Sequence, residues 1–301
     1  LYRDGGGFYN LAIYNIELTK IHKNSARENG GFVYVEMMYE NKLRIIQSSF
    51  QSNIAKTKSG GVMMIHNVLP DGLFVDIEGT HYVENKAGMS GGMMQINGSN
   101  LRFSVLNSTL KENTASNGDG GCIFGRSDIT MDIQNTNIVS NQAGKNGGCM
   151  SFGDDTNINI SSCILDKNIA NQSGGIMYMK TRSYMHLVRN TTITNNKAIY
   201  RDGGGFYNLA IYNIVSTTIH NNSARENGGF LYVDMMYENK LRIIQSSFRN
   251  NIAKTKSGGV MIIHNVLPDG LFVDIEGTQY VQNQAGMSGG MMQINGSNLR
   301  F

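Results

Sequence analysis

The feature that most constrains the fold of this chain is repetition. Residues 2–103 recur as residues 200–301, an offset of 198, with 12 differences in 102 positions. Within this duplication, a shorter unit reads Asn, any residue, Ala and, a few residues later, Gly-Gly. Repeats of this length predict a solenoid, because one unit buries its apolar face only by stacking on the next. The repeated Asn is found at Asn24, Asn53, Asn85, Asn113, Asn141, Asn168, Asn196, Asn222, Asn251 and Asn283.

Fixed offsets from the repeated Asn alternate in polarity, which is the spacing of a β strand. The residue three before it is apolar, the residue five before it is Ser or Thr except at Cys163, and the residue eight before it is Ile or Val. The residue ten before it is apolar except at His186. Each unit therefore predicts three short strands: one after Gly-Gly, one ending at the Ile or Val, and one carrying the Ser or Thr.

These strands predict an all-β chain: a right-handed parallel β-helix of about ten rungs of 26–32 residues. We expect residues 1–301 to be one continuous unit of this solenoid. In-register stacking places like residues above like at about 4.8 Å. Asn53, Asn85 and Asn113 should then stack as a side-chain amide ladder. Ile45, Ile77 and Val105 should stack in a second column, inside the rod.

The differences between the two copies give a first test of this interpretation. Eleven of the twelve fall outside the predicted ladder and inward positions, and the remaining one, Val33/Leu231, stays aliphatic. The residues directly after Gly-Gly are expected to be partly exposed, because the residues that follow them, such as Met63 and Met94, are expected to point into the core. That stripe consists of Phe32, Val62, Met93, Ile176 and Phe230.

Charge and hydropathy exclude several classes of protein. The net charge is +3, and Lys and Arg form no single long run, so nucleic acid is not an expected partner. No apolar run approaches the ~18 residues of a membrane-spanning helix, so no span is expected in this fragment. We also predict no cofactor and no metal site. Turns at residues 117–121 and 154–155 contain Asp, but they lack the spacing of an EF-hand and are explained by turn chemistry.

The repeat resembles that of a known family. The segment Phe50-x-x-Asn53-x-Ala55, followed by Gly-Gly-Val-Met at residues 60–63, resembles the FxxN and GGA[ILV] repeats of chlamydial polymorphic outer-membrane proteins. The residue after Gly-Gly is Phe, Val, Met, Cys or Ile in this chain. More broadly, the chain resembles the pectate-lyase-like β-helix superfamily. The resemblance implies a β-helical surface or adhesin-like passenger, located outside the cell or at its surface.

Paired carboxylates are the best candidates for catalysis. Asp76 and Glu78 are two residues apart and so share one face, with Arg44 one rung below Asp76 and Asp132 two rungs above it. Such a pair could serve as acid and base on a polysaccharide. The alternative is an Arg–Asp stack on a solvated face. Rung lengths vary little, so no long loops wall a cleft, and we predict no catalytic residues. The same cluster recurs as Arg242, Asp274 and Glu276.

Cysteines and glycosylation sequons are the remaining candidate sites. Cys122 and Cys149 both follow Gly-Gly in the same register, so their spacing permits a disulfide, although parallel side-chain vectors make its dihedral awkward. Cys163 should be a lone thiol. None of the seven N-x-Ser/Thr sequons uses a ladder Asn, and all are expected in turns or at outward positions. They are Asn97, Asn107, Asn159, Asn171, Asn190, Asn221 and Asn295.

The sequence favours a structural extracellular fibre or surface-coat protein, built from tandem repeats that associate end to end into a filament. Glycans are the other expected partners. An adhesin stalk or face that binds a host or carbohydrate partner is the alternative, and a polysaccharide-active enzyme is a third. A fibre should be uniform along its length. An adhesin should carry variable rungs near one end, and an enzyme should carry one rung with long loops.

Overall fold

The computed structural model describes residues 3–10, 14–38, 41–68, 70–236, 240–266, 270–296 and 298–301. These residues form 41 β strands and contain no helix. The strands build three sheets of 21, 10 and 10 strands, and each strand pairs in parallel with its counterpart one rung away. The predicted all-β parallel solenoid of about ten rungs is therefore confirmed.

The first sheet holds two sets of strands, which β25 joins into one sheet because it spans both positions. Strands of the first set follow Gly-Gly: β1 Phe8–Tyr9, β5 Val33–Met38, β9 Met63–Val68, β13 Met94–Ile96, β17 Ile123–Gly125, β21 Met150–Phe152, β25 Met177–Arg189, β28 Phe206–Ile211, β32 Leu231–Met236, β36 Met261–Val266 and β40 Met292–Ile294. The second set comprises β2 Asn15–Glu17, β6 Lys42–Ile46, β10 Leu73–Glu78, β14 Leu101–Leu106, β18 Ile129–Gln134, β22 Thr156–Ser161, β29 Asn213–Val215, β33 Lys240–Ile244, β37 Leu271–Glu276 and β41 Leu299–Arg300.

The other two sheets contain the short strands on either side of the ladder Asn. The second sheet comprises β3 Lys20–His22, β7 Ser49–Gln51, β11 His81–Val83, β15 Thr109–Lys111, β19 Asn137–Val139, β23 Ile164–Asp166, β26 Thr192–Thr194, β30 Thr218–His220, β34 Ser247–Arg249 and β38 Gln279–Val281. The third comprises the two-residue strands β4 Ser25–Ala26, β8 Ile54–Ala55, β12 Lys86–Ala87, β16 Thr114–Ala115, β20 Gln142–Ala143, β24 Ile169–Ala170, β27 Lys197–Ala198, β31 Ser223–Ala224, β35 Ile252–Ala253 and β39 Gln284–Ala285.

The predicted inner column forms as expected. Ile77 pairs in register with Ile45 below it and Val105 above it, and all three side chains are completely buried. Phe50 and Tyr82 stack inside the rod with ring centroids 4.7 Å apart and planes 5° from parallel. The alternating sequence thus gives a core in which each residue packs on its equivalents one rung above and below.

Three corners in each rung adopt the left-handed backbone conformation. It occurs at the residue before each ladder Asn, with φ between 52° and 58°, and at the residue before the Ser or Thr column, with φ between 45° and 58°. At the third corner, the first Gly of the pair has the positive φ, as in Gly60 at 68°. The second Gly is required for another reason: a Cβ on Gly61 would lie 1.9 Å from the carbonyl oxygen of Gly92 in the next rung.

The expected exposure of the residues directly after Gly-Gly was wrong. Val62, Met93 and the other members of that stripe, Phe32, Ile176 and Phe230, are all buried, at 8% exposure or less. The cause lies in the backbone: the Val62 carbonyl accepts N–H bonds from both Phe32 (2.9 Å) and Val33 (3.0 Å). Two successive N–H groups sharing one carbonyl interrupt the alternation, so two adjacent side chains are covered.

Two other positions depart from simple alternation. Met64 and its counterpart Ile262 differ between the copies and are nevertheless buried, with 4% and 1% exposure, so Val33/Leu231 is not the sole difference at a buried position. At His186 the strand bulges: Met185 pairs with Ile158, whereas Leu187 pairs with Asn159. Met185 therefore occupies the buried position and His186 turns outward, which explains the polar residue at that offset.

Candidate functional site

The repeated Asn forms a continuous ladder in the interior, as predicted. Asn53 Nδ2 donates to Asn85 Oδ1 (3.0 Å) and to the Ile21 carbonyl (3.0 Å). Its Oδ1 accepts bonds from Asn24 Nδ2 (2.9 Å) and the Asn24 backbone N–H (3.1 Å). The amide therefore uses both donors and both acceptor positions. Side-chain bonds of 2.9 to 3.1 Å link all ten Asn residues in this Asn ladder.

The Ser and Thr column five residues earlier forms a second ladder, here called the hydroxyl ladder. Ser48 Oγ donates to the Ile46 carbonyl (2.8 Å) and accepts the Thr19 N–H (3.1 Å). Cys163 takes the same place, with its thiol donating to the Ser161 carbonyl (3.1 Å). The thiol is free, as predicted. Burial raises the pKa of Cys163 to about 11.

A third ladder, which the sequence analysis missed, precedes Gly-Gly. Asp119 Oδ1 accepts bonds from the Asn146 N–H (2.9 Å) and Nδ2 (3.0 Å), and Asn146 Oδ1 accepts the Ser173 N–H (3.2 Å). Burial raises the pKa of Asp202, which is bonded in the same way to Asn227. The signal was available, since Asp, Asn or Ser stands before every Gly pair that follows a ladder Asn. The Asp119 turn therefore belongs to this pre-glycine ladder.

The candidate catalytic carboxylates lie on an outer face, where Asp76 pairs with a cation. Asp76 aligns with Arg44 one rung below, with Arg44 Nε 3.8 Å from Asp76 Oδ2, and Ser104 separates it from Asp132. In the second copy, Arg242 Nε lies 3.2 Å from Asp274 Oδ2. Glu78 points to the same side and is exposed. The structure thus brings Arg44 and Asp76 together but not Asp76 and Asp132.

Cys122 and Cys149 are buried free thiols in neighbouring rungs, where the Cys122 N–H donates to the Cys149 carbonyl (2.6 Å). Burial, followed by the effect of the neighbouring Cys122 thiol, raises the pKa of Cys149 well above its usual range. Asn113 Nδ2 lies 3.7 Å from the Cys122 sulfur, so this pair adjoins the Asn ladder. A disulfide between the two remains a prediction.

None of the seven sequon Asn side chains is buried, as expected. Four are exposed and three are half-buried: Asn107, Asn190, Asn221 and Asn295, and then Asn97, Asn159 and Asn171. Asn107, Asn190 and Asn221 occupy left-handed corners with φ of 50°, 49° and 57°. Asn tolerates this conformation better than most residues, so backbone geometry alone accounts for these three. Whether any sequon carries a glycan stays a prediction.

A column of stacked tyrosines on the outside of the first sheet was also missed. Tyr178 and Tyr207 lie with ring centroids 4.9 Å apart and planes 6° from parallel, and Tyr207 and Tyr232 lie 4.8 Å and 2° apart. All three side chains are half-buried, and burial raises the pKa of Tyr207 to about 12. Ser151 occupies the same position one rung below Tyr178, and Phe124 occupies it two rungs below. We call this series of positions the outer tyrosine column. Each is the third residue after Gly-Gly, an offset that could have revealed the column.

A comparison with models of known protein families, with curated proteins and with solved structures found no match. Across the described ranges, no group of three or more His, Cys, Asp or Glu side chains is arranged to hold a metal ion. Nor does this part of the chain contain a helix that is long and apolar enough to cross a membrane.

Proposed function

We propose that this chain belongs to a structural extracellular fibre or surface coat, built from tandem β-solenoid repeats that continue end to end. The supporting observation is the uniformity of the Asn ladder across the duplication. Asn24 Nδ2 donates to Asn53 at 2.9 Å in the first copy, and Asn222 Nδ2 donates to Asn251 at 3.0 Å in the second. The bond from Asn196 into the second copy is also 3.0 Å long.

A junction between copies therefore uses the same contacts as an internal rung. Because no new interface has to form, the length of such a rod is set by the number of repeats. The differences between copies fit this role, since Gln51/Arg249 and Glu84/Gln282 change charge at exposed positions while the ladders are retained. An interior that differs only by exchange of one apolar residue for another, beneath a variable outer surface, suits a protein whose task is to be long and stiff.

The resemblance to chlamydial polymorphic outer-membrane protein repeats, and more broadly to pectate-lyase-like β-helices, supports a location outside the cell or at its surface. Seven unburied sequons support glycan attachment there. In this proposal the partners are further copies of the repeat and attached glycans.

Electron microscopy of the native full-length protein tests the structural role. We expect filaments with an axial repeat close to that of seven rungs, roughly 34 Å at the rung spacing of a parallel sheet. Monodisperse particles with a binding tip of non-repeating rungs would instead favour the adhesin. Monodisperse particles with a cleft walled by long loops would favour the polysaccharide-active enzyme. Either of these results would overturn the fibre.

A further inference from the structure

The outer tyrosine column has a gap. Phe124, Ser151 and Tyr178 occupy the same position in three successive rungs, paired in register. Phe124 and Tyr178 are thus two rung spacings apart, roughly 10 Å, with only a hydroxymethyl group between them. The upper face of Tyr178 is stacked on Tyr207. No ring of the described residues contacts its lower face, which points toward the gap.

The floor of the gap is a polar group without a partner. Ser151 is 3% exposed, and its hydroxyl makes no hydrogen bond with any described residue. Together with Phe124 and Tyr178, it lines a groove of about 410 Å³. The Ser151 oxygen is open to this groove, so its unpaired hydroxyl can bond to a ligand that enters there.

We propose that this groove binds a small phenolic compound, with its ring between Phe124 and Tyr178 and its hydroxyl bonded to Ser151. A ring at the level of Ser151 would lie one rung from Tyr178. That is the 4.9 Å spacing at which Tyr178 and Tyr207 already stack. The ligand would therefore repeat the contacts that Tyr207 makes with its two neighbours, and stacked rings at such spacing attract one another.

The charges around the groove select among phenols. Asp154 is paired with Lys180 at 3.9 Å, and Asp119 accepts two bonds from Asn146. Arg126 is exposed and makes no ion pair with any described residue. A phenol that carries a carboxylate arm would pair with Arg126, so the groove should prefer such a compound to a phenol with an ammonium arm.

Ligand-observed NMR on the full chain tests whether the groove binds an aromatic ring by stacking. Phenol should bind with a dissociation constant on the order of a millimolar, as expected for so small a ligand. Cyclohexanol has the same number of heavy atoms but no aromatic face, and should bind at least about tenfold more weakly. In the charged pair, 3-(4-hydroxyphenyl)propionate should bind about threefold or more tightly than tyramine. Equal binding of phenol and cyclohexanol would overturn the stacking arrangement.

Variants locate the site. Ser151→Tyr should fill the gap and abolish binding, and Tyr178→Leu should weaken it about tenfold by removing one face. Ser151→Ala keeps the gap open and should weaken binding only severalfold. Tyr232→Leu, at the far end of the column, is the matched control and should leave affinity within about twofold. Far-UV circular dichroism checks that each variant folds. The proposal is overturned if wild type binds none of the phenols at tens of millimolar, or if Tyr178→Leu and Tyr232→Leu lose binding equally.

Discussion

Two ladders run side by side through the solenoid, and they differ in how much substitution they tolerate. The Asn ladder holds Asn in all ten rungs, whereas the hydroxyl ladder holds Ser, Thr and, in one rung, Cys163. Both columns are buried, so burial alone does not explain the difference. The hydrogen bonds do: the Asn53 amide takes part in four bonds, but the Ser48 hydroxyl needs only a donor and an acceptor.

A thiol can replace a hydroxyl in that role, because it also donates one proton and accepts weakly. No other side chain of similar size offers two donors and a two-acceptor oxygen in the Asn geometry. Substitution in these columns is therefore limited by the number and direction of the hydrogen bonds that each side chain makes.

The largest effect is expected from breaking the Asn ladder. In Asn141→Ala, the Leu110 carbonyl and Asn168 Oδ1 lose a donor, and two donors on Asn113 lose their acceptor. The free energy of unfolding should fall by about 4 kcal/mol, since several buried groups are left unsatisfied at once. Chemical denaturation measures it. Asn137→Ala, at an exposed position in β19 of the same rung, should change stability by less than about 0.5 kcal/mol.

The next effect concerns the thiol that stands in the hydroxyl ladder. Burial raises the pKa of Cys163 from 9.0 in its usual state to about 11 in the fold, so the unfolded chain releases the proton first. The contribution of this thiol to the free energy of unfolding is fully present below pH 9. It is lost as pH rises toward 11, at about 1.4 kcal/mol per pH unit at most. Cys163→Ser should show a flatter decline in urea midpoints over pH 9 to 11. An identical decline in both proteins would contradict the assignment.

A smaller loss should follow from removing a hydroxyl outright. Thr136 Oγ1 donates to the Gln134 carbonyl (2.8 Å) and accepts the Ser108 N–H (3.3 Å). Thr136→Ala should cost about 1.5 kcal/mol, less than half the effect of Asn141→Ala. Thr136→Ser retains the hydroxyl and should recover most of that loss. If Thr136→Ala costs as much as Asn141→Ala in thermal or urea unfolding, the counting of bonds is wrong.

The smallest effect has the opposite sign. Tyr82 is completely buried, and its hydroxyl has no hydrogen-bond partner among the described residues. Tyr82→Phe should stabilise the fold by about 1 kcal/mol, because it removes an unsatisfied polar atom and keeps the stack on Phe50. Calorimetry should show a higher melting temperature than that of wild type. A lower one would mean that the hydroxyl has a partner, such as a buried water.

The sequence predicted the parts of the fold that obey a simple period. The Asn ladder and the Ile45 column were visible because each recurs at a constant offset and alternates with outward residues. Alternation failed where the backbone departs from a regular strand, at the shared carbonyl of Val62 and at the bulge beside His186. These depend on hydrogen-bond geometry between rungs, which no single strand encodes.

The candidate site was harder to predict for a different reason. The pre-glycine ladder mixes Asp, Asn and Ser, so it is not visible as one residue type. The gap at Ser151 exists because the residues above and below it, Tyr178 and Phe124, are aromatic. These two residues are two rungs apart in space and 54 residues apart in sequence. Such a feature becomes visible only once the register between rungs is known.

Hydrogen exchange of Asn side-chain amides, measured by NMR on a chain labelled with ¹⁵N only at Asn, tests whether the Asn ladder holds the rungs together. We expect eight side-chain amides to exchange as slowly as core backbone amides, because each donates two bonds in the interior and is fully buried. They are Asn53, Asn85, Asn113, Asn141, Asn168, Asn196, Asn222 and Asn251. Exposed amides such as Asn137 and Asn190 should exchange at the first time point. If the eight exchanged as rapidly as these two, the Asn ladder would not hold the rungs together.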